Sequence, residues 1–442
     1  MKNIKNMQKI LTQHISAFER MGPRPLGSKA LLTASDYLKE QFELNGLKTE
    51  KFPFECVYWD FQDMSLKIEQ QAFKAVSNTY SPSCHLNFNI ESIVHFHKLV
   101  EFENYVHKAE INAKMPHILM LSGDLTKEIL FPPKFPFYTD ELSVKIYTAI
   151  IQFQPALVIF VSHSEFNYQP LSVDSDFQIP SITIPPSVGA YILNSESKTI
   201  SVKIKSTLSN QMSYHIIGRI LEGNLEQKID SKKLSPKKKD SNIKSTQEQE
   251  SDTKKKRTPR KLPVRKKIII AAHLDTMYFS SGAHDNTSGV LCLLLLASKL
   301  NSYQWPFDIE IVAFTSHELS GFGTLKYVQR IDKENPSILG FINIDAVGHP
   351  VFPDFVSLYN ISDERAAHIL SVIEQKTGIS KGEPWYQGEH VIFMQKGIPC
   401  VVFCEGKSLD FHHTKADTFE LLNLPQIQRI VDAILETLNC FS

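Results

Sequence analysis

The residues of this chain that could do chemistry are imidazoles and carboxylates at particular places along it. His273 and Asp275 stand one residue apart, and Asp285 follows ten residues later. His317 and Glu318 are adjacent, Asp345 closes an apolar run, and His412 and His413 are adjacent. Imidazole nitrogen and carboxylate oxygen are ligands that suit zinc. A carboxylate can also bridge two ions, and paired sites of that kind hold their metals roughly 3.5–4 Å apart. Taken singly, each residue has an ordinary explanation. An Asp at a strand end is usually a turn or cap residue, and a lone His is usually a hydrogen-bonded side chain. Their joint occurrence at successive strand ends is not explained that way.

The elements that position them can be read from hydrophobic patterning. Lys266–Ala272 (KKIIIAA) reads as a buried strand ending at His273 and Asp275. Asp285 precedes the apolar run Val290–Ala297, which reads as a helix, so this acid sits at a helix start, where negative charge is favoured. Asp308–Ser316 is a strand leading to His317 and Glu318, Ile338–Gly348 a strand containing Asp345, and Ile398–Gly406 a strand before His412 and His413. Between these strands, Gly323–Ile331, Asp363–Thr377 and Leu424–Phe441 have helical spacing. The alternation implies an α/β fold: a mixed, mainly parallel sheet with helices on both faces. In such sheets the carboxyl ends of the strands share one rim, so residues distant in sequence meet there.

The rest of the chain divides by pattern. Asn3–Phe18 and Ser28–Asn45 read as helices separated by the turn MGPRPLGS, and Leu47–Cys56 reads as a strand, which makes 1–56 the first part of the catalytic domain. From 57 to 206 strand-like alternation dominates, which predicts an inserted, mostly β domain; Asp176–Pro185 in it resembles a protease-associated domain. Ser213–Leu221 is a further strand, and 207–442 completes the catalytic domain.

Lys+Arg and Asp+Glu both number 48 in the 442 residues, but the charge is unevenly spread. Lys228–Lys267 holds sixteen basic and five acidic residues, net +11, so the remainder carries −11. The stretch 222–267 has few apolar residues to offset its ordering entropy, which predicts a disordered basic loop. A nucleic-acid or localisation patch is one reading of it. A solvated insertion between strands is the favoured one, and no nucleic-acid partner is expected. Six cysteines without a CxxC pair, no secretory apolar core and no span-length apolar run predict a soluble, cytoplasmic protein with no membrane partner.

The motifs HLD, GAHDNTSG, HELSGFG, NIDAVG, EHVIF with GIP, and HTKADT, together with MGPRPLGS, resemble the co-catalytic zinc metallopeptidases that include bacterial leucyl aminopeptidases, glutamate carboxypeptidase and glutaminyl cyclase. The resemblance covers Ile268–Asn439 and the N-terminal turn with its flanking helices. It implies two zinc ions per chain, one held by His273 and Asp345, the other by Glu318 and His413, with Asp285 bridging them. His412 competes for the last position, but the family places its ligand directly before the Thr of HTxxD. The resemblance further implies a cis peptide between Asp285 and Asn286. Asp275 would orient His273, and Asp417 would support His413 in the same way. Glu389 and His390 match an Asp-His pair near the substrate pocket.

The implied activity is a zinc-dependent exopeptidase on peptide substrates, in the first reading an aminopeptidase that attacks N-terminal peptide bonds with a metal-bridging hydroxide. Two positions depart from the pattern. His317 stands where the family has its general-base glutamate, and His284 where relatives often carry an acid. In the aminopeptidase reading His317 is the catalytic base. The alternative is a catalytically impaired or silent metal-binding homologue acting as a binding protein, and a third reading is a cyclase acting on N-terminal glutamine. The inserted domain would cover the pocket, carry a homo-oligomer contact, or do neither.

Overall fold

The computed structural model describes residues 2–109, 118–137, 141–195, 199–220, 266–334, 337–405 and 411–442. Apart from Lys266 and Lys267, which open a strand, the basic stretch 222–267 lies outside them.

The chain starts with two helices, α1 (Lys2–Met21) and α2 (Lys29–Leu44). Ser28 caps α2 through its side chain, accepting from the Leu31 N–H. β1 (Lys48–Ile68) then runs for 21 residues. It enters the inserted region, which contains β2 (Gln71–Phe73), β3 (Val76–Ser77), β4 (Cys84–Asn89), β5 (Ile93–Phe96), α3 (Leu99–Ala109), β6 (Ile118–Leu121), α4 (Glu141–Phe153), β7 (Leu157–Val161), β8 (Ser181–Ile184) and α5 (Pro186–Leu193). The return strand β9 (Thr199–Ile220) pairs with β1 along nearly its whole length, from Lys48 opposite Arg219 to Ile68 opposite Ile200. The strand-like stretches Leu47–Cys56, from Lys48 on, and Met64–Ile68 therefore belong to one strand, as do Ile200–Ser206 and Ser213–Leu221 as far as Ile220.

Beside the strands that its patterning suggests, the insert carries the helices α3, α4 and α5. β5, β6, β7 and β8 form a parallel sheet with β3 antiparallel at its edge, and helices cover it. Leu119, Leu121, Val158 and Phe160 pack toward the side of α3 and α4. Ile118, Met120, Leu157 and Ile159 pack toward α5 and the β1–β9 ribbon. The helices escape a strand reading because their apolar residues, such as Ile146, Ala149 and Ile150 in α4, recur at helical rather than alternating spacing.

The main sheet continues with β10 (Lys266–His273), β11 (Asp308–Phe314), β12 (Ser337–Asp345), β13 (Asp354–Tyr359), β14 (Ser380–Lys381) and β15 (Cys400–Glu405). Its order is β14-β13-β15-β12-β10-β11-β9-β1-β2. The centre, β15-β12-β10-β11, is parallel, and the strands flanking that centre are antiparallel to it, so the sheet is mixed. Helices α6 (Ser288–Leu300), α7 (Phe322–Glu334), α8 (Asp363–Thr377), α9 (His390–Gln395) and α10 (Leu424–Phe441) cover both faces. Ile268, Ile270 and Ala272 of β10 point into the core beneath α6 and α10, while Ile269 and Ala271 join Tyr327 and Phe393 on the other side. Burial on both faces explains the uninterrupted apolar run of that strand.

One core residue gives the fold an acid sensitivity. His215 of β9 is fully buried among Phe54, Phe314 and Tyr327, and its Nδ1 accepts the Thr315 N–H at 3.1 Å. Burial pushes its pKa down to about 4. The unfolded chain protonates this ring near 6.5, so its stabilising contribution is complete above that value. It is lost as pH falls toward 4, at roughly 1.4 kcal/mol per unit. The stability difference between the metal-free parent and His215→Phe is expected to shrink by about 2–3 kcal/mol from pH 7 to pH 4.5. Urea melts at the two pH values measure it, and an unchanged difference would reject the assignment.

Candidate metal centre

The parallel strands end on one rim, and that rim gathers the ligand-type residues. β10 ends in His273 and β12 in Asp345. Glu318 lies in the turn after β11, Asp285 in the loop before α6, and His413 in the segment after β15.

Their donor atoms form two clusters sharing one carboxylate. His273 Nε2 lies 3.0 Å from Asp285 Oδ1 and 3.3 Å from Asp345 Oδ1. His413 Nε2 lies 3.1 Å from Asp285 Oδ2 and 3.1 Å from Glu318 Oε2. Two ligands about 2.0–2.1 Å from one zinc ion at a tetrahedral angle stand roughly 3.3 Å apart, so each cluster has the spacing of a zinc coordination edge. His273 Nε2 and Glu318 Oε1 are buried without a hydrogen-bond partner, which leaves donor capacity for an ion. The residues therefore fit zinc.

The electrostatics point the same way. Burial works against charge on His273, but Asp345 and Asp285 outweigh it and hold the imidazole well above its usual pKa. Glu318 and Asp285 do the same to His413. Burial would raise Asp285, but His273 and His413 hold it well below the usual carboxylate range. The cluster thus keeps positive charge beside Asp285 even without an ion, and metal binding has to displace those protons.

Two buried carboxylates clamp the loops that bear the cluster residues, in a manner different from the sequence expectation. Asp275 does not orient His273 through its side chain; its Oδ1 is 3.8 Å from Nδ1. The backbone carbonyl of Asp275 meets Nδ1 at 3.0 Å instead. The Asp275 carboxylate accepts the His317 N–H at 3.2 Å and the Glu318 N–H at 3.0 Å. Likewise Asp417 grips the backbone at the carboxylate the two clusters share, accepting the His284 N–H at 2.7 Å and the Asp285 N–H at 3.2 Å. The Asp285–Asn286 peptide is cis. Asn286 ties this loop to the end of β12, donating to Ile344 O at 2.9 Å and accepting from Ala346 N at 3.3 Å.

Sequence reasoning assigned no role to Arg24, in the turn MGPRPLGS. It is fully buried, and each guanidinium N–H has an acceptor: Leu274 O, Gly22 O, Ser281 O, Gly282 O and Thr287 Oγ1. The N-terminal turn thereby buckles the whole loop from β10 to α6. A charged Arg among apolar neighbours was the available signal. Arg24→Met leaves five acceptors in the dry interior and is expected to destabilise the chain by roughly 3–5 kcal/mol. A urea titration beside Arg24→Lys, which supplies only three donors, should rank the parent first and Met last.

His317 is the residue out of pattern. Its ring stacks on His273, with centroids 4.1 Å apart and planes 8° apart, and on Phe137 of the insert at 5.0 Å and 19°. Its Nδ1 meets Glu389 Oε1 at 3.0 Å, and its Nε2 is 4.0 Å from Asp345 Oδ2. Against the pull of burial, Glu389 raises His317 to about 9 in the metal-free chain. Glu389 and His390 are fully buried and sit behind the cavity rather than lining it. His390 instead pairs with Trp385 O at 2.9 Å. His412 meets His284 Nδ1 at 2.9 Å. Burial, then His412, pushes His284 to about 3, which keeps this ring neutral.

The centre opens into a cavity of about 700 Å³ between the rim and the insert. Phe131, Phe135, Phe137 and Gln169 of the insert form one wall, and Asp285, His317 and Glu318 lie on the other.

Residues 255–438 match the model of peptidase family M28. The matched stretch contains all five residues of the two donor clusters. Aminopeptidase YwaD of Bacillus subtilis is 26% identical over 178 residues, which are 38% of this chain and 39% of that protein. Leucine aminopeptidase 2 of Trichophyton rubrum is 22% identical over 30% of this chain and 29% of its own length. The match thus spans well under half of these relatives. Among solved structures, BSAP, a zinc aminopeptidase from Bacillus subtilis, superposes with a TM-score of 0.68 at 19% identity, covering 97% of this chain and 93% of that one. An aminopeptidase from Aneurinibacillus sp. strain AM-1 gives 0.65 at 17% identity, over 96% and 92%. These likenesses extend the shared fold beyond the matched stretch and through the insert.

Proposed function

We propose that this chain is a zinc-dependent aminopeptidase that holds two zinc ions and uses His317 to move the proton. The observation that carries the reading is the pair of donor clusters on either side of Asp285, open to the cavity under the insert and flanked by His317. His273, Asp345 and Asp285 would hold one ion, and His413, Glu318 and Asp285 the other. Bound zinc supplies Lewis acidity toward the scissile carbonyl and lowers the pKa of water.

The chain's own residues supply the rest. Asp275 and Asp417 fix the ligand loops through backbone N–H groups. The insert adds an aromatic wall of Phe131, Phe135 and Phe137 over the centre, and a lower local dielectric there strengthens charge interactions. His317 Nε2 is the group beside the ligands that can accept a proton from water and return it to the leaving amine. In the metal-free chain Glu389 keeps this ring charged, and positive charge at the two clusters acts in the opposite sense.

Cleavage from the amino end is favoured by the charges in the cavity. Beyond the residues assigned to the ions, its described lining adds the carboxylates Glu128 and Glu405, against Lys127, which is paired with Asp124 at 2.7 Å. An ammonium terminus suits this surroundings better than a carboxylate. The aromatic wall of Phe131, Phe135 and Phe137 favours an apolar first side chain. Retention of both clusters speaks for catalysis over silent binding. N-acetylation of a cleaved peptide is expected to abolish turnover, while C-terminal amidation leaves it nearly unchanged. The reverse pattern would make the chain a carboxypeptidase.

A further inference from the structure

We propose that Glu389 and Phe137 act as positioning residues for His317, fixing its tautomer and ring plane so that the bare Nε2 faces the cavity. The inference rests on the peptidase reading for its purpose, but its geometry stands apart from it. An imidazole presents two nitrogens on opposite sides of the ring, and the partner of one decides the state of the other. Here Nδ1 meets the fully buried Glu389 carboxylate at 3.0 Å. A carboxylate only accepts, so Nδ1 carries the hydrogen and neutral His317 has its lone pair on Nε2. That atom lies on the side of Asp345, whose Oδ2 is 4.0 Å away.

Rotation is blocked from three directions. His273 covers one face of the ring and Phe137 the other. The His317 N–H is pinned to Asp275 Oδ1 at 3.2 Å. Glu389 is itself fixed at the start of α9, where its carbonyl accepts the Ile392 N–H at 3.2 Å. Its reach is a matter of side-chain length, since removing one methylene withdraws the carboxylate by roughly 1.5 Å. Phe137 comes from the insert, so the insert is part of the apparatus that holds the proton acceptor.

The proton accounting closes with Glu389 as a spectator. Water adds to the carbonyl carbon, its O–H proton goes to His317 Nε2, and the C=O π pair moves to oxygen. The C–N bond then breaks, the proton passes from Nε2 to the departing nitrogen, and the C=O bond re-forms. One water is consumed per peptide bond, and Glu389 stays ionised throughout, orienting the imidazolium as the third member of a triad does.

The test uses zinc-loaded chain with nitrogen-15 in its histidines. The parent is expected to give a His317 signal with hydrogen on Nδ1 and none on Nε2. Glu389→Gln should mix the tautomers, and Glu389→Asp should do so less. In peptide turnover, Glu389→Gln is expected to lower kcat roughly 10²-fold, with KM and zinc content unchanged and partial recovery in Glu389→Asp. Phe137→Leu should lower kcat by a smaller factor. In a His317→Glu background, Glu389→Gln should bring no further loss. Hydrogen on Nε2 in the parent would overturn the proposal, as would an equal kcat loss in both backgrounds. If the parent turns over no peptide, the peptidase reading fails, while the tautomer measurement still decides the positioning.

Discussion

Asp285→Ala is expected to lower peptide turnover by on the order of 10⁴-fold and to reduce bound zinc from two ions per chain to one or none. The size follows from the geometry. Asp285 contributes a donor atom to each cluster, 3.0 Å from His273 and 3.1 Å from His413. Removing it takes one ligand from both positions and leaves four donors that no longer share a bridge. Lewis-acid stabilisation by metals amounts to several kcal/mol, and each 1.36 kcal/mol is tenfold in rate. The variant should still fold, because Asn286 and Asp417 tie the loop down through other atoms. Circular dichroism together with elemental analysis separates metal loss from unfolding. Two zinc ions retained by folded Asp285→Ala would remove the bridge from the account.

Replacing His317 by glutamine is the second large effect. The expected loss is roughly 10²–10⁴-fold in kcat, the range for a displaced general base, with both zinc ions retained. The reason for that separation is spatial: His317 Nε2 is 4.0 Å from Asp345 Oδ2, while the donor contacts of the two clusters lie within 3.3 Å. Loss of zinc in His317→Gln would instead make this ring a ligand. A variant with parental kcat would mean that another group handles the proton.

The residues that gather at the rim are legible because their signal is chemical and sits at strand ends. His273, Asp285, Glu318, Asp345 and His413 meet as the strand alternation leads one to expect. The helices Asp363–Thr377 and Leu424–Phe441 begin and end where their patterning does. The supporting shell was less legible. Asp275 and Asp417 work through backbone N–H groups of distant loops, and nothing in a residue type announces such a partner. Glu389 reads as a pocket residue but lies behind His317, a relation created only when two loops fold against each other. The strands β1 and β9 read as fragments because the middle of β9, Thr207–Met212, is largely exposed. There the ribbon passes between two cores and neither imposes alternation. β13 gives no signal of its own because Asp354–Tyr359 is short and its partner β15 lies more than forty residues further on.

The most direct measurement is turnover of a mixed peptide library by the purified, zinc-loaded chain, read by mass spectrometry beside the metal-stripped chain and Asp285→Ala. The account predicts loss of single N-terminal residues, apolar ones fastest, only where zinc and Asp285 are both present. A chain that holds two zinc ions and leaves every peptide intact would contradict it and make the site one for binding without catalysis.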